Sequence, residues 1–341
     1  MTTEMDVIAF TQQLIDIPSL TGDEGALALF LRDYLESLNY KVELQEVAGG
    51  RSNIVALTND APRVVLSTHM DTVPPHIPAN EDAEYIYGRG ACDAKGIIAA
   101  QIAAAARLRA EGIEQLGLLF TVDEEMSSLG ARSANEHPAA KQCRYLINGE
   151  PTDNLLAVGS KGSLRVRIIT SGRAAHSAYP EHGESAIEKM LAVLADILAA
   201  PWPQDEFFGA TTCNIGTIAG GTRPNVIPAE AEATLQIRLV KDSALIKNIF
   251  ERAIKGRVEI EYLSAAEPVR MLAVEGFEQC IVRFTTDIPY LKNWGTPLLI
   301  GAGSILDAHT EHERVSKSEL LRSVELYAQL VRALLAQERH S

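Results

Sequence analysis

Residues 63–71 read RVVLSTHMD, a run of β-forming residues that ends in a histidine and an aspartate one residue apart. The apolar start of this run is typical of a strand that is buried on both faces, as in a parallel sheet. Side chains two residues apart on a strand point to the same side, so Asp71 can reach the imidazole of His69 while Met70 turns away. The stretch therefore predicts a buried strand that presents a polar pair at its carboxyl end.

Three further apolar runs are followed by polar side chains at the point where a strand would end. They are GLLFTV (117–122) before Glu124 and Glu125, YLIN (145–148) before Glu150, and PLLI (297–300), which leads through a glycine turn to His309. A fifth polar position, Asp93, stands two residues before an Ala-rich helix predicted over residues 95–110. In open parallel sheets ligands bind outside the carboxyl ends of the strands, so we expect these side chains to share one crevice.

Each of these features has a simpler structural explanation when it is taken alone. A histidine after a strand is most often a hydrogen-bonded structural residue, and an acidic pair such as Glu124 and Glu125 is usually part of a solvated turn. Asp93 could cap the helix that follows it. These explanations would have to hold at all five polar ends together, whereas one metal site accounts for all of them. We therefore favour a metal site.

The residue types indicate a hydrolytic site with two divalent cations. Such a site needs a bridging carboxylate, with ions about 3.5–4 Å apart. Imidazole and carboxylate ligands without thiolates suit catalytic Zn²⁺, which keeps open positions for water and substrate. Two divalent ions outweigh the charge of the carboxylates Asp93, Glu125 and Glu150. The remaining positive charge favours a hydroxide and a developing oxyanion.

The pattern of the chain changes near residue 163. Before that point, predicted helices alternate with buried strands, which indicates a mostly parallel α/β sheet. In residues 163–269, runs such as AEATLQIRLV (231–240) alternate apolar and polar side chains, as in an antiparallel sheet with one exposed face. After about residue 270 the first pattern returns. We predict a discontinuous, mostly parallel-sheet α/β domain (1–162 and 270–341) interrupted by an inserted α+β domain (163–269) with an antiparallel sheet plus helices.

Residues 21–24, TGDE, precede a helical pattern of apolar residues. Their spacing is that of a capping box, in which Thr21 and Glu24 satisfy amide groups at the start of the helix. The sequence therefore predicts that these residues cap a helix that follows them.

Composition limits the possible partners. The net charge is −14 and no Lys/Arg cluster follows the pattern of a phosphate-binding surface, which argues against a nucleic-acid partner. The apolar runs are too short to span a bilayer, and the opening MTTEMDVIAF lacks the apolar core of a secretory signal. The four cysteines form no CxxC pair and suit reduced thiols. We expect a cytoplasmic protein with no nucleic-acid and no membrane partner.

Seven stretches spread over nearly the whole chain resemble the peptidase M20 family of di-zinc amidohydrolases, which includes acetylornithine deacetylase and succinyl-diaminopimelate desuccinylase. The stretches are STHMDTVPP, YGRGACDAKG, FTVDEEMSSLGA, INGEPT, GRAAHSAYPEHGESAI, NVIPAEAEATLQIR and GAGSILDAHTEHE. Their joint occurrence in this order is highly specific.

The resemblance implies a role for each residue of the predicted crevice. His69 and Glu150 would hold one metal ion, Glu125 and His309 would hold the other, and Asp93 would bridge the two. The cofactors implied are two divalent metal ions, most simply Zn²⁺, with Co²⁺ as the other possibility.

The resemblance also assigns the residues that act around the metals. Glu124 would be the general base that takes a proton from the bridging water and later delivers it to the leaving amine. Asp71 would be the partner of His69, and the peptide bond between Asp93 and Ala94 would be cis.

In the inserted domain the resemblance implies a lid or dimerisation role, with a possible homodimer. His176 resembles a histidine that reaches a neighbouring active site, and Asn225 and Arg238 resemble substrate-binding residues. The guanidinium of Arg238 suits a substrate carboxylate, and strand alternation puts this residue on the polar face. Without the resemblance, a surface arginine with a local ion pair would be the preferred explanation.

The function implied is hydrolysis of the amide bond of a small N-acyl amino acid, such as N-acetylornithine or N-acetyl-lysine. The alternatives within the family are a dipeptidase or carboxypeptidase, or a succinyl-diaminopimelate desuccinylase. A non-catalytic binding protein would lack a ligand or the base, and neither is missing. Cys92 lies beside Asp93, but no residues around it support a thiol nucleophile.

Overall fold

The computed structural model of the chain describes residues 5–59 and 61–338. The α-helices of this part are α1 (Val7–Asp16), α2 (Gly25–Ser37), α3 (Lys95–Ala110), α4 (Leu129–Ala134), α5 (Ala186–Leu198), α6 (Ser243–Ile254) and α7 (Lys317–Glu338). Short 3-10 helices span Pro138–Gln142, Pro180–His182, Ile288–Tyr290 and Lys292–Trp294. Within the described ranges, no helix has both the length and the apolar character needed to cross a membrane.

The strands fall into one large sheet and three smaller ones. Their bounds are β1 (Lys41–Ala48), β2 (Arg51–Leu57), β3 (Val64–His69), β4 (Asn80–Glu81), β5 (Tyr85–Tyr87), β6 (Leu116–Thr121), β7 (Tyr145–Asn148), β8 (Leu156–Ser160), β9 (Gly162–Ser171), β10 (Gln204–Asp205), β11 (Gly209–Ala210), β12 (Thr212–Gly220), β13 (Glu230–Leu239), β14 (Glu259–Ala266), β15 (Val269–Arg270), β16 (Gln279–Val282), β17 (Thr296–Leu299) and β18 (Arg314–Ser316).

Contacts along the chain divide it into two compact units. The first runs to Val158 and takes up Met271–Cys280 and the chain from Thr286 onwards, and the second comprises Gly159–Arg270 and Ile281–Thr285. Each unit has its own apolar core. The predicted division into a catalytic part and a lid or dimerisation part stays a prediction.

The large sheet of the first unit has the strand order β1-β2-β6-β3-β7-β17-β8. Its four central strands, β6, β3, β7 and β17, run parallel, and the strands outside them pair antiparallel. Every residue of β3 and β6 is buried, which explains why their apolar residues form continuous runs rather than alternating with polar ones. The prediction of a largely parallel central sheet is confirmed, with antiparallel edges added.

Helix α3 is the most deeply buried helix of the first unit, and residues 95–105 at its start have no exposed member. It packs against α1, α7 and β3. Small alanine side chains allow this close approach on several sides at once. The predicted Ala-rich helix over residues 95–110 is confirmed, and its buried first turn directly follows Asp93 and Ala94.

The second unit contains a four-stranded antiparallel sheet in the order β12-β13-β9-β14, with α5 and α6 packed against it. Alternate residues of β13 are buried, among them Leu235 and Ile237, which pack into the core beneath the helices. The alternating pattern of the sequence thus corresponds to a sheet with one covered face. This confirms the predicted antiparallel α+β arrangement.

The predicted capping box at residues 21–24 is wrong. Glu24 precedes α2, but no side chain caps the first amides of that helix. The hydroxyl of Thr21 instead donates to the carboxylate of Asp71, 2.9 Å away. For Thr21, a tertiary partner takes the place of the local one.

Candidate metal centre

His69 ends strand β3 with both ring nitrogens engaged and only 1% of its surface exposed. Its Nδ1 lies 2.9 Å from the backbone carbonyl of Asp71, which can only accept a hydrogen bond. Nδ1 therefore carries the hydrogen in the neutral ring, and Nε2 is left as the metal-binding atom. Nε2 lies 2.9 Å from Oδ1 of Asp93 and 3.9 Å from Oε2 of Glu150.

Asp93 lies between two histidines from distant parts of the chain. Its Oδ1 contacts His69, while its Oδ2 lies 3.2 Å from Nε2 of His309. A carboxylate that offers one oxygen to each of two imidazoles has the arrangement expected of a bridging ligand. The Asp93–Ala94 peptide bond is cis, which confirms that prediction.

Glu125 and His309 form the other end of the cluster. Nε2 of His309 lies 2.8 Å from Oε1 of Glu125. His309 sits on a turn with φ of +62°, and 49% of its side chain is exposed. Among the described residues, ligand atoms of His69, Asp93 and Glu125 all lie within 4.8 Å of one another and could hold a metal ion.

Asp71 contacts the loop after β6 more closely than it contacts the imidazole of His69. Its Oδ1 accepts the backbone N–H of Glu124 at 3.0 Å, and its Oδ2 accepts that of Glu125 at 3.2 Å. The distance from Oδ1 to Nδ1 of His69 is 3.5 Å, longer than the contact made by the Asp71 carbonyl. Asp71 thus orients His69 chiefly through its backbone, and its carboxylate holds the acidic pair.

Glu150 follows β7, and only 4% of its surface is exposed. Its Oε1 is buried without a hydrogen-bond partner. Burial raises the pKa of this carboxyl well above its ordinary value, with a further increase from the negative charge of Asp93. A buried oxygen without a partner is costly, so it fits a position where a cation completes the site.

The protein groups alone hold the cluster as ion pairs between imidazolium and carboxylate. Burial lowers the pKa of His69, but the hydrogen bonds with Asp71 and Asp93 outweigh it and raise the pKa well above the ordinary value. Hydrogen bonds with Asp93 and then Glu125 raise the pKa of His309 to about 10. Burial raises the pKa of Asp93, but its contacts with His309 and His69 outweigh that effect and lower the pKa below its usual range. A divalent cation can take the place of the positive charge on these imidazoles and balance the carboxylates.

Glu124 lies beside the cluster, but its carboxyl is not among the partners of His69 and His309 described above. Burial raises the pKa of its carboxyl well above the ordinary value, and the negative charge of Glu150 raises it further. A carboxyl whose pKa is raised holds a proton more readily than an ordinary carboxylate, as a group that accepts and returns a proton requires. Its position and its pKa both agree with the predicted role of a base, which stays a prediction.

Two buried carboxylates that the sequence analysis did not assign support the cluster. Oε1 of Glu313 accepts the N–H groups of Gly90 at 2.8 Å and Asp93 at 3.2 Å, and its Oε2 pairs with Arg89 at 2.5 Å. Asp287 accepts a hydrogen bond of 2.7 Å from the hydroxyl of Thr121. Burial raises the pKa of Asp287 to about 6. Glu313 ends the stretch GAGSILDAHTEHE, which also contains His309. This closeness in the sequence was the signal that could have indicated a role for Glu313 at the site.

Cys92 is excluded as a thiolate nucleophile by its surroundings. The residue is fully buried, and burial raises the pKa of its thiol well above the ordinary value, with a further rise from Glu313. Because the thiolate is the reactive form, this side chain is an inert part of the core.

The predicted substrate residues all lie in the second unit. His176 and Asn225 are exposed neighbours, since His176 pairs with Val226 and the carbonyl of Asn225 accepts the N–H of Ser177 at 3.0 Å. Arg238 lies on β13, and its Nη1 donates to the hydroxyl of Thr285 at 3.3 Å. The roles assigned to these three residues stay predictions.

Comparisons with known proteins agree with this arrangement. The model of Peptidase family M20/M25/M40 matches residues 65–333. A Peptidase M20 domain-containing protein of Schizosaccharomyces pombe is 37% identical over 338 residues, covering 96% of this chain and 84% of the relative. A probable carboxypeptidase of Aspergillus clavatus is 36% identical over 377 residues, covering 98% and 83%. In fold, the chain resembles an M20 family metallo-carboxypeptidase from Sulfolobus solfataricus, with a TM-score of 0.79 at 15% identity over 96% of this chain and 99% of that one.

Proposed function

This chain belongs to peptidase family M20/M25/M40 and is an amide-bond hydrolase, and from that premise we propose that it releases the amino acid from a small N-acyl amino acid. The products of this reaction are a carboxylate and a free amine. N-acetylornithine and N-acetyl-lysine are the substrates of this class that we consider first.

The contacts of Asp93 carry the proposal of a two-ion centre. Its two carboxylate oxygens lie 2.9 Å and 3.2 Å from Nε2 atoms of different histidines. A single structural ion would need only one of these pairs of an imidazole and a carboxylate oxygen. Two imidazole-and-carboxylate faces that share one carboxylate are the donor set of a two-metal hydrolase.

The residues of the cluster fit divalent cations, and Zn²⁺ is the ion that we propose, with Co²⁺ as the substitute. His69 and Glu150 would hold one ion, Glu125 and His309 the other, and Asp93 both. The absence of thiolate from the set and the unpartnered oxygen of Glu150 support this choice. Bound there, the cations would polarise the scissile carbonyl and bring the pKa of water from 15.7 towards about 7.

Glu124 is the residue that moves the proton. Its carboxylate takes a proton from the attacking water and returns it to the nitrogen of the leaving amine, which is typically worth about 10²–10⁴-fold in rate. The backbone N–H of Glu124 is held by Asp71, so the base is positioned from its own main chain.

The substrate end of the reaction rests on residues of the second unit. Arg238 offers a guanidinium that suits the free carboxylate of an amino acid, and Asn225 and His176 supply polar groups for the acyl part. We propose these roles on their chemistry and on the family pattern.

A second candidate is a carboxypeptidase or dipeptidase that uses the same centre on a peptide bond. The printed names of the relatives favour it, since several are probable carboxypeptidases. The scissile amide is the same in both cases, so the cluster itself does not separate the two candidates.

A substrate panel tests both candidates. The Zn²⁺-loaded and Co²⁺-loaded protein is assayed for release of free amine from N-acetylornithine, N-acetyl-lysine, N-succinyl-diaminopimelate and a set of dipeptides and blocked peptides. We expect the highest kcat/KM with an N-acetyl amino acid, and no turnover after chelation. Faster cleavage of dipeptides or of C-terminal residues would transfer the assignment to the second candidate. Lack of hydrolysis of every amide would refute the proposed reaction.

A further inference from the structure

The loop that carries Glu124 and Glu125 is connected to residues 21–24, the tetrapeptide whose predicted capping role proved wrong. Two separate hydrogen-bond paths join these parts of the chain, and neither belongs to a helix or strand ladder. We propose that they form a brace that holds the base in position, with Thr21 and Arg51 as positioning residues.

The first path runs through Asp71. The hydroxyl of Thr21 donates to Oδ2 of Asp71 at 2.9 Å, and the two carboxylate oxygens hold the backbone amides of Glu124 and Glu125. Asp71 is fully buried, so it depends on these donors for its hydrogen bonds. The Thr21 hydroxyl is the donor of this set that lies farthest from the metal cluster along the path.

Thr21 is itself fixed against the strand end. Its backbone N–H donates to the carbonyl of Thr72 at 3.1 Å, and the N–H of Thr72 donates to Ser19 at 2.9 Å. The hydroxyl of Ser19 donates to the carbonyl of Met70 at 2.8 Å. Residues 19–21 are therefore hydrogen-bonded to residues 70–72, directly after β3. These bonds fix the position of Thr21 at the start of the first path.

The second path runs through Arg51. Its Nη1 lies 2.8 Å from Oδ1 of Asp123 and 3.3 Å from Oε1 of Glu24, a residue with no exposed surface. Asp123 directly precedes the base and has φ of +70°, which is uncommon for a residue other than glycine. The ion pair with Arg51 thus helps to hold a backbone turn that the residue does not favour by itself.

Packing does not secure this loop. Met126 has 66% of its surface exposed, and Ser127 and Leu129 are exposed as well. With little apolar burial at its tip, the loop depends on hydrogen bonds for its conformation. The first path holds the loop at the amides of Glu124 and Glu125, and the second holds it at the carboxylate of Asp123.

The mild variant of the first path is Thr21→Val, which removes the hydroxyl and keeps the shape of the side chain. With the N-acetyl amino acid that the wild-type protein hydrolyses fastest, we expect kcat to fall about three- to tenfold with KM within about twofold. Thr21→Ser keeps the hydroxyl and should restore kcat. The matched control is Thr11→Val, because the Thr11 hydroxyl donates to the carbonyl of Val7 inside α1 and should leave kcat unchanged.

Arg51→Met tests the second path. It removes a charge that pairs with two carboxylates, so we expect kcat to fall about ten- to a hundredfold, with partial recovery in Arg51→Lys. Arg332→Met is the control, since it removes an exposed ion pair between Arg332 of α7 and Glu111 at the end of α3 and should not change kcat.

The rate measurements rest on the proposed function, so a second readout is needed that does not. Hydrogen–deuterium exchange of the metal-free protein at the amides of Glu124 and Glu125 should be at least threefold faster in Thr21→Val and Arg51→Met than in the controls, with exchange in α7 unchanged. Unchanged exchange in this loop, or a change in KM without a change in kcat, would overturn the brace. If the wild-type protein hydrolyses no substrate, the proposed function fails and the exchange result alone decides on the brace.

Discussion

The two halves of the proposed metal centre have the same side-chain chemistry, one imidazole and one carboxylate each, but lie on different supporting elements. The inner half, His69 and Glu150, follows strands in the middle of the parallel sheet, and both residues are buried. The outer half has His309 on a turn, with half of its side chain exposed, against Glu125 on an exposed loop. Sheet hydrogen bonds fix the inner half, whereas side-chain contacts hold the outer half.

This difference has consequences for the ions. Strand ends are positioned by the ladder and by burial, so the inner ligands keep their geometry when no ion is present. The turn of His309 and the loop after Glu125 are exposed, so we expect their local stability to be lower than that of the strand ends. We therefore expect the inner half to define the site and the outer half to exchange its ion more readily.

The largest expected effect concerns the group that serves both halves. Glu124→Gln removes the proposed base but none of the proposed metal ligands, so turnover should fall about 10²–10⁴-fold. Metal analysis of the same sample should still find two ions per chain. A variant with near wild-type turnover would show that the proton is moved by another group.

The second prediction compares the two histidines directly. His69→Ala leaves the buried carboxylate of Glu150 without its imidazole partner and Asp93 with His309 alone, which should cost the metal-free protein about 3–5 kcal/mol of unfolding free energy. His309→Ala removes an imidazole that is 49% exposed, so water screens part of its interaction with Asp93 and Glu125 and the loss should be smaller than for His69→Ala. Urea unfolding in the presence of a chelator measures both values.

The control for this comparison is His182→Ala, because the side chain of His182 is 74% exposed and lies on a surface 3-10 helix of the second unit. It should leave the unfolding free energy unchanged. An equal loss for His69→Ala and His309→Ala would contradict the difference between the two halves.

The smallest expected effect concerns protons on the outer half. The pKa of His309 is about 10 because Asp93 and Glu125 stabilise its imidazolium, whereas a metal ion needs the neutral ring. At pH 7.5 the ring is therefore protonated and must lose its proton when Zn²⁺ binds. It follows that affinity for the outer ion rises with pH until about pH 10.

Calorimetric titration with Zn²⁺ in buffers of different ionisation enthalpy counts the released protons. Since His309 supplies one of them, His309→Ala should release about one proton fewer than the wild-type protein. Equal proton release in both proteins would mean that His309 is neutral before the ion binds.

The same shift acts on the stability of the metal-free protein. A histidine whose pKa is raised on folding stabilises the folded state below its unfolded pKa of about 6.5. That contribution disappears as the pH rises through about 10, which is the value for the folded protein. We therefore expect the unfolding free energy of the metal-free protein to fall as the pH rises from about 6.5 to about 10.

Local sequence patterns predicted most of the elements that build the site. The run YLIN was predicted as a strand and is β7, and the Ala-rich helix over residues 95–110 is α3 with the same bounds. These predictions succeeded because burial on both faces requires continuous apolar runs, and this requirement is visible in the sequence. The sequence also shows which polar residue directly follows each predicted strand, so the positions of the candidate ligands could be predicted as well.

The prediction at residues 21–24 failed for a reason that local patterns do not contain. Thr21 and Glu24 have the spacing of a capping box, but a buried carboxylate and an arginine from elsewhere in the chain are stronger partners. Asp71 shows a related effect, because its carboxylate lies 3.5 Å from Nδ1 of His69 and also accepts the amides of Glu124 and Glu125, which no local pattern indicates. Contacts between distant segments decided both cases.

The sequence by itself determined which residues could act as ligands, which strands are buried and where each polar residue leaves its strand. These properties depend on residue type and on the period of the backbone, so they can be read without a structure. Only the tertiary structure decided that the two oxygens of Asp93 face different histidines, and that Thr21 and Arg51 reach the loop of the base. Hydrogen bonds act over about 3 Å between groups that chain folding alone brings together, which is why no local pattern encodes them.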